Sequence, residues 1–255
     1  MLALVIEGCA NRAAFAAGVV AELDRLGVRP ALAAGASSGS IVGAAWAAGH
    51  AAELPALWQA VAGGSIVRWR DALANRSPFA MSAIVGDALR AALGAGDLRG
   101  APAEALCTVT RLRDRATVVL SSRREPDFVH AVLGSCFVPV LYGRPVRIDG
   151  ALVVDGGARD NLPLAAAAAR GATTILAVVP AADGTARPRV LGPRVRPGEV
   201  APPGVRVVTI HPPTPLAIRP WTLERAAMAA AIAAGRAAAQ AALPALEAMA
   251  QGPSS

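Results

Sequence analysis

Five apolar residues in a row, Leu2-Ala3-Leu4-Val5-Ile6, open the chain and stop at Glu7-Gly8. A run so short and unbroken has no polar face, which suits a strand buried on both sides. A strand of that kind needs helices packed above and below it. It directs the chain towards an α/β layered fold, provided that helical patterns alternate with further strands.

They do. Phe15, Val19, Leu23 and Leu26 recur at helical spacing, with Gly27 and Pro30 as stop signals. Pro30–Ala34 is a short strand candidate weakened by its alanines. Ile41–Ala48 reads as a helix, and Ala51–Leu98 as mostly helical. Leu106–Thr110 and Thr117–Leu120 flank Arg113-Asp114 as a hairpin, and Val146–Val154 alternates as a strand pair. Phe128–Leu133 and Leu164–Arg170 are short helices; Ile175–Val179 and Val205–Ile210 are strands. Between those two strands, 181–204 is rich in Pro, Gly and Arg and is expected to be a long exposed loop. A terminal helix follows over 223–250. The alternation argues an α/β layered fold.

At 255 residues and 54% hydrophobic, the chain can bury one large core, so a single domain over 1–255 is expected. A net charge of +7 first suggests nucleic acid. All 25 basic residues are arginine, however, scattered among the abundant alanine, glycine and proline of GC-rich coding, and only 4% of residues are aromatic. Without a basic stripe interleaved with aromatics, nucleic acid is excluded as a partner, which leaves mild attraction to anionic lipid surfaces. Cys9, Cys107 and Cys136 have no metal-ligand spacing and leave one unpaired, which fits a reducing compartment and implies no metal. The first residues lack the basic start and long apolar run of a signal peptide. Ile41–Gly49 is too short to span a bilayer, and Met228–Ala250 is interrupted by Arg236, Gln240, Pro244 and Glu247. The expectation is a cytoplasmic protein that touches membrane surfaces transiently.

Three stretches carry chemistry. Gly35-Ala36-Ser37-Ser38-Gly39 is a G-x-S-x-G frame between a strand and a helix. A tight turn there exposes the serine hydroxyl, and the following helix aims its positive end at the developing charge. Ser38 and Ser40 fail the frame, lacking glycine two residues away on both sides. Gly8-Cys9-Ala10-Asn11-Arg12 joins the first strand to the first helix, where successive N–H groups make a nest for an anion. Asp155-Gly156-Gly157 is the third: two glycines after an aspartate allow a close backbone approach that presents the carboxylate.

In this order the stretches resemble the patatin-like phospholipases, lipid acyl hydrolases with a serine–aspartate dyad. The matching residues are Glu7-Gly8-Cys9-Ala10-Asn11-Arg12 with Gly18-Val19, then Gly35-Ala36-Ser37-Ser38-Gly39, Ser135-Cys136-Phe137-Val138-Pro139, and Asp155-Gly156-Gly157 with Asn161 and Pro163. The resemblance implies a three-layer α/β fold, with a central, mostly parallel sheet between helices. It implies that Ser37 attacks carboxylic esters of lipids, with Asp155 as base. It implies that backbone N–H groups of Gly8, Cys9 and Ala10 receive the oxyanion. Asn11, Arg12, Gly35, Gly39, Gly156 and Gly157 would support them, with no cofactor. Cys9, Ala10 and Ala13 stand where the family's loop carries glycine. The rival functions are a non-catalytic lipid-binding protein on the same fold and an acyltransferase. A Ser37…Asp155…His211 triad is the rival mechanism, although only one or two strands precede Ser37, too few for an α/β-hydrolase. Trp58, Trp69, Phe79 and Met81 are core residues first and a candidate acyl groove second.

Overall fold

The computed structural model describes residues 1–63, 85–86, 89–90, 93, 97–139, 141 and 145–250. Most of the helical expectation for Ala51–Leu98, with Trp69, Phe79 and Met81, lies outside the described residues. Eight strands form one sheet: β1 (Leu2–Ile6), β2 (Leu32–Ala36), β3 (Glu104–Arg111), β4 (Thr117–Ser121), β5 (Val146–Ile148), β6 (Ala151–Asp155), β7 (Thr174–Val178) and β8 (Arg206–Ile210). Around it lie α1 (Ala13–Arg25), α2 (Ser38–Ala47), α3 (Leu54–Val61), α4 (Phe128–Ser135), α5 (Leu164–Ala169) and α6 (Arg225–Ala250). The strand order is β5-β6-β3-β2-β1-β7-β8, with β4 also on β3. β3, β2, β1, β7 and β8 are parallel, while β4 and β6 run against β3. This is the layered α/β plan that the alternation implied, with the mostly parallel central sheet that the resemblance implied.

Side-chain alternation divides the core. Leu4, Ile6, Leu176 and Val178 face α1, α2 and α6, while Ala3, Val5, Ile175 and Ala177 face α5. Fully buried Leu4, Ile6, Phe15, Leu23, Ile175 and Leu176 each contribute about 1.5–3 kcal/mol. β2 runs two residues later than its pattern suggested, because Ala31 donates its N–H to the Leu2 carbonyl and pairing starts at Leu32. Its alanines have poor strand propensity, yet β2 lies between β1 and β3 with every residue buried. Tertiary pairing overrides local preference there.

Across the other layer, α1 and α6 pack backbone to backbone. A Cβ at Gly18 would strike the Ile232 carbonyl, and one at Gly235 would strike the Phe15 carbonyl. Gln240 Nε2 donates to Glu22 Oε1 at 2.7 Å, so a polar residue of α6 serves this packing. By length and composition α6 could cross a membrane, contrary to the expectation from its interruptions, but here 39% of its apolar window is buried on the protein. The 181–204 segment is also not a free loop. Ala186 and Val195 exchange backbone hydrogen bonds of 2.9 Å across its base, and Ala181, Ala186 and Pro197 are buried.

Candidate active site

The sheet register brings two chain ends together. β4 covers one edge of β3 along Leu106–Thr110. β2 covers the other edge as far as the pair Ala36↔Thr108. From Val109 onward β6 takes over that edge, beginning with the pair Asp155↔Val109. β2 and β6 therefore meet head to head on neighbouring rungs. Ser37 leaves the end of one as Asp155 leaves the end of the other.

Ser37 sits at φ 51°, ψ −131°, in a region costing a non-glycine residue about 1–3 kcal/mol. The surroundings hold it there. Its N–H donates to Ser135 Oγ at 2.9 Å, and its carbonyl accepts the Ser40 N–H at 2.9 Å and the Ser40 hydroxyl at 2.5 Å. Glycine is required on both sides for closeness rather than for rotation. A Cβ at Gly35 would strike the Gly39 carbonyl, and one at Gly39 would strike the Ile6 carbonyl. α2 thus begins at Ser38, three residues before its apolar pattern, with the elbow as its first turn.

The Gly157 N–H donates to Asp155 Oδ1 at 2.7 Å, and the Ser37 hydroxyl is the other donor beside this carboxyl. Burial pushes its pKa up to about 6, while those two donors pull the other way. Gly156 is confined by Thr108, whose carbonyl a Cβ would strike. Asp160, four residues on in sequence from Gly156, is also pushed up to about 6 by burial, but it accepts from the Leu162 N–H. No histidine joins the pair among the described residues. His211 follows β8, three strands across the sheet from β2, its Nδ1 against the Pro212 carbonyl. His130 Nε2 meets the Arg147 carbonyl, and His50 lies beside Glu53.

The Gly8–Arg12 loop lies against both. Gly8 donates its N–H to the Asn161 carbonyl at 3.1 Å, and Cys9 donates to Ser38 Oγ at 3.1 Å. Two of the three N–H groups expected to receive an oxyanion are therefore occupied. Ala10 differs: it adopts φ 53°, and its N–H meets no acceptor among the described residues. Of the three residues replacing glycine, only Ala10 stands in the left-handed region; Cys9 has φ −152° and Ala13 φ −63°. Asn11 clamps the loop through its N–H to the Pro220 carbonyl (3.0 Å) and Nδ2 to the Thr222 carbonyl (2.9 Å). The Cys9 thiol is buried and pushed up to about 12, too high for a nucleophile.

Two residues lay inside matching stretches without an assigned role. Ser135, the first residue of the Ser135–Pro139 segment, holds the Ser37 backbone. Glu7 is 4% exposed, and burial raises it to about 7, against pulls from the Arg187 N–H and the Arg12 charge. Its Oε1 accepts the Arg187 N–H at 2.9 Å, beside Asn161 Nδ2. A charge closing an apolar strand was the available signal. No trio of His, Cys, Asp or Glu gathers for a metal among the described residues.

A family model described as patatin-like phospholipase matches residues 4–168, which include Ser37, Asp155 and the intervening elements. No curated protein matches the chain. Among solved structures, VipD from Legionella pneumophila is similar at 13% identity and a TM-score of 0.46. The alignment covers 94% of this chain and 66% of that one.

Proposed function

The chain belongs to the patatin-like phospholipase family, whose members are generally lipid hydrolases, and on that premise we propose that it cleaves carboxylic esters of lipids through an acyl-serine at Ser37. The observation that carries this reading is the meeting of Ser37 and a half-buried Asp155 carboxyl at the abutting ends of β2 and β6. Ionised at neutral pH, Asp155 accepts the hydroxyl proton as Oγ attacks the ester carbonyl carbon. The oxyanion turns to the unoccupied Ala10 N–H and to the N-terminus of α2, where the helix dipole favours negative charge. Collapse breaks the ester C–O bond, and the departing alcohol takes the proton back from Asp155. Water then gives a proton to Asp155 and attacks the acyl carbon; collapse frees the fatty acid and returns the proton to Ser37. A base restored within each half-reaction needs no histidine.

A fluorophosphonate probe tests the reading. It should label the wild-type chain and not Ser37→Ala, and a panel of p-nitrophenyl and phospholipid esters should lose turnover with the same change. Equal labelling of the folded variant would refute it. The occupied Gly8 and Cys9 N–H groups favour a second reading, a lipid-binding member without turnover. That reading forecasts no labelling of the wild type. An added acceptor alcohol separates hydrolysis from acyl transfer by the product formed.

A further inference from the structure

Two turns carry apolar residues at their corners, and each is fastened to one loop of the site. In the first, the Gly192 N–H donates to the Arg189 carbonyl at 2.8 Å, which puts Val190 and Leu191 at the corners. Leu191 is 98% exposed and Val190 48%. The Val190 N–H donates to the Gly157 carbonyl at 2.8 Å, two residues from Asp155, and the Asn161 N–H donates to the Pro188 carbonyl at 2.7 Å. Arg187 Nη1 braces the turn at the Gly192 carbonyl, 2.8 Å away. In the second turn the Thr222 N–H donates to the Arg219 carbonyl at 3.1 Å, with Pro220 and Trp221 at the corners. Trp221 is 57% exposed, and the flanking carbonyls of Pro220 and Thr222 hold Asn11 of the Gly8–Arg12 loop.

A single exposed leucine means nothing. Here three of the seven large exposed apolar side chains among the described residues lie on these two turns. The first turn is basic: residues 187–196 hold Arg187, Arg189, Arg194 and Arg196 with no acid, while Arg219 and Arg225 near Trp221 outnumber Glu224 by one. Apolar corners with arginines close by in sequence match a surface with an apolar interior and anionic headgroups. Tryptophan suits the boundary between them.

We infer that the Val190–Leu191 and Trp221 turns form a docking face for an anionic lipid bilayer, set on the rim of the site so that docking brings the Ser37–Asp155 pair to the interface. The inference takes its substrate from the lipid-hydrolase reading, but its test does not depend on turnover. Full-length Ser37→Ala protein is sedimented with unilamellar vesicles of phosphatidylcholine alone, or mixed equally with phosphatidylserine. The mixed vesicles should bind it better, and added salt should weaken that binding. Adding Leu191→Ser and Trp221→Ala should cut the partition by about tenfold or more, from the apolar area withdrawn. Arg189→Gln should cut it about fivefold, while Arg206→Gln, the same charge change at the opposite end of the sheet, should leave it unchanged. With Ser37 present, the Leu191/Trp221 variant should keep hydrolysis of soluble p-nitrophenyl butyrate and lose hydrolysis of vesicle phospholipid. Undiminished binding by that variant, equal losses from Arg189→Gln and Arg206→Gln, or no binding by the parent to either vesicle overturns the docking face. If neither ester is hydrolysed while binding behaves as stated, the acyl-serine reading falls and the docking face stands.

Discussion

Asp155→Asn should make this protein more stable as it removes the proposed base. In the wild type, burial lifts the Asp155 carboxyl from its ordinary 3.8 to about 6. The native state therefore binds this proton more tightly than the unfolded chain does. The corresponding stability is fully present below about pH 4 and is lost as pH rises through about 6. Two pKa units are worth about 3 kcal/mol, the cost of keeping an ionised carboxylate buried at neutral pH. Asparagine has nearly the same shape, leaves an oxygen for the Gly157 N–H and carries no charge. At ~pH 8 the variant should unfold about 3 kcal/mol less readily, a rise in Tm of roughly 6–12 °C for a chain of this size. Below ~pH 4 the two proteins should melt together. Turnover should fall by about 10²–10⁴, the worth of a general base, and wild-type activity should climb as pH passes about 6. Thermal melts across pH, with ester hydrolysis on the same samples, measure both effects. An Asn variant no more stable than wild type at high pH, or with an advantage that persists undiminished in acid, would refute burial as the cause of the raised pKa.

Three more changes probe neighbouring parts of the argument. Ala10→Gly should raise stability by up to about 1 kcal/mol in denaturant melts, since Ala10 holds φ 53° without glycine's freedom, and should preserve turnover. Gly235→Ala should cost several kcal/mol and expose α1, as the new methyl meets the Phe15 carbonyl; hydrogen exchange in α1 would report it. His211→Ala should leave ester turnover within about twofold, because His211 lies three strands from Ser37; a collapse of activity in the folded variant would bring back a triad.

The family loop's departures illustrate how differently a substitution can weigh. Cys9 and Ala13 replace glycine at ordinary negative φ, so their identities matter little to the backbone. Ala10 replaces it where φ is positive, and only coordinates distinguish the three. Ser38 and Ser40 likewise fall outside the nucleophile frame, yet they hold the Cys9 N–H and the Ser37 carbonyl. Ser38→Ala would strand a buried donor, and is not the neutral control its place outside the frame suggests.

By itself the sequence determined the layered α/β plan, because burial of a strand on both faces and of a helix on one leaves a periodicity that any chain must display. It also marked Ser37 and Asp155, since a tight elbow needs its glycines adjacent in sequence: Gly35 and Gly39 bracket Ser37, and Gly156-Gly157 follow Asp155. The start of β2 was legible only to within two residues, because alanine carries no strand preference and its pairing with β1 and β3 sets the boundary. What tertiary structure decided is the meeting of distant partners: Asp155 with Ser37, Ser135 with the Ser37 N–H, Ser38 with the Cys9 N–H, and Glu7 with Arg187. Those pairs depend on strand order and register, chiefly on β6 taking the edge of β3 that β2 leaves at Ala36. Such an arrangement minimises the free energy of the whole sheet, and no local stretch of residues encodes it.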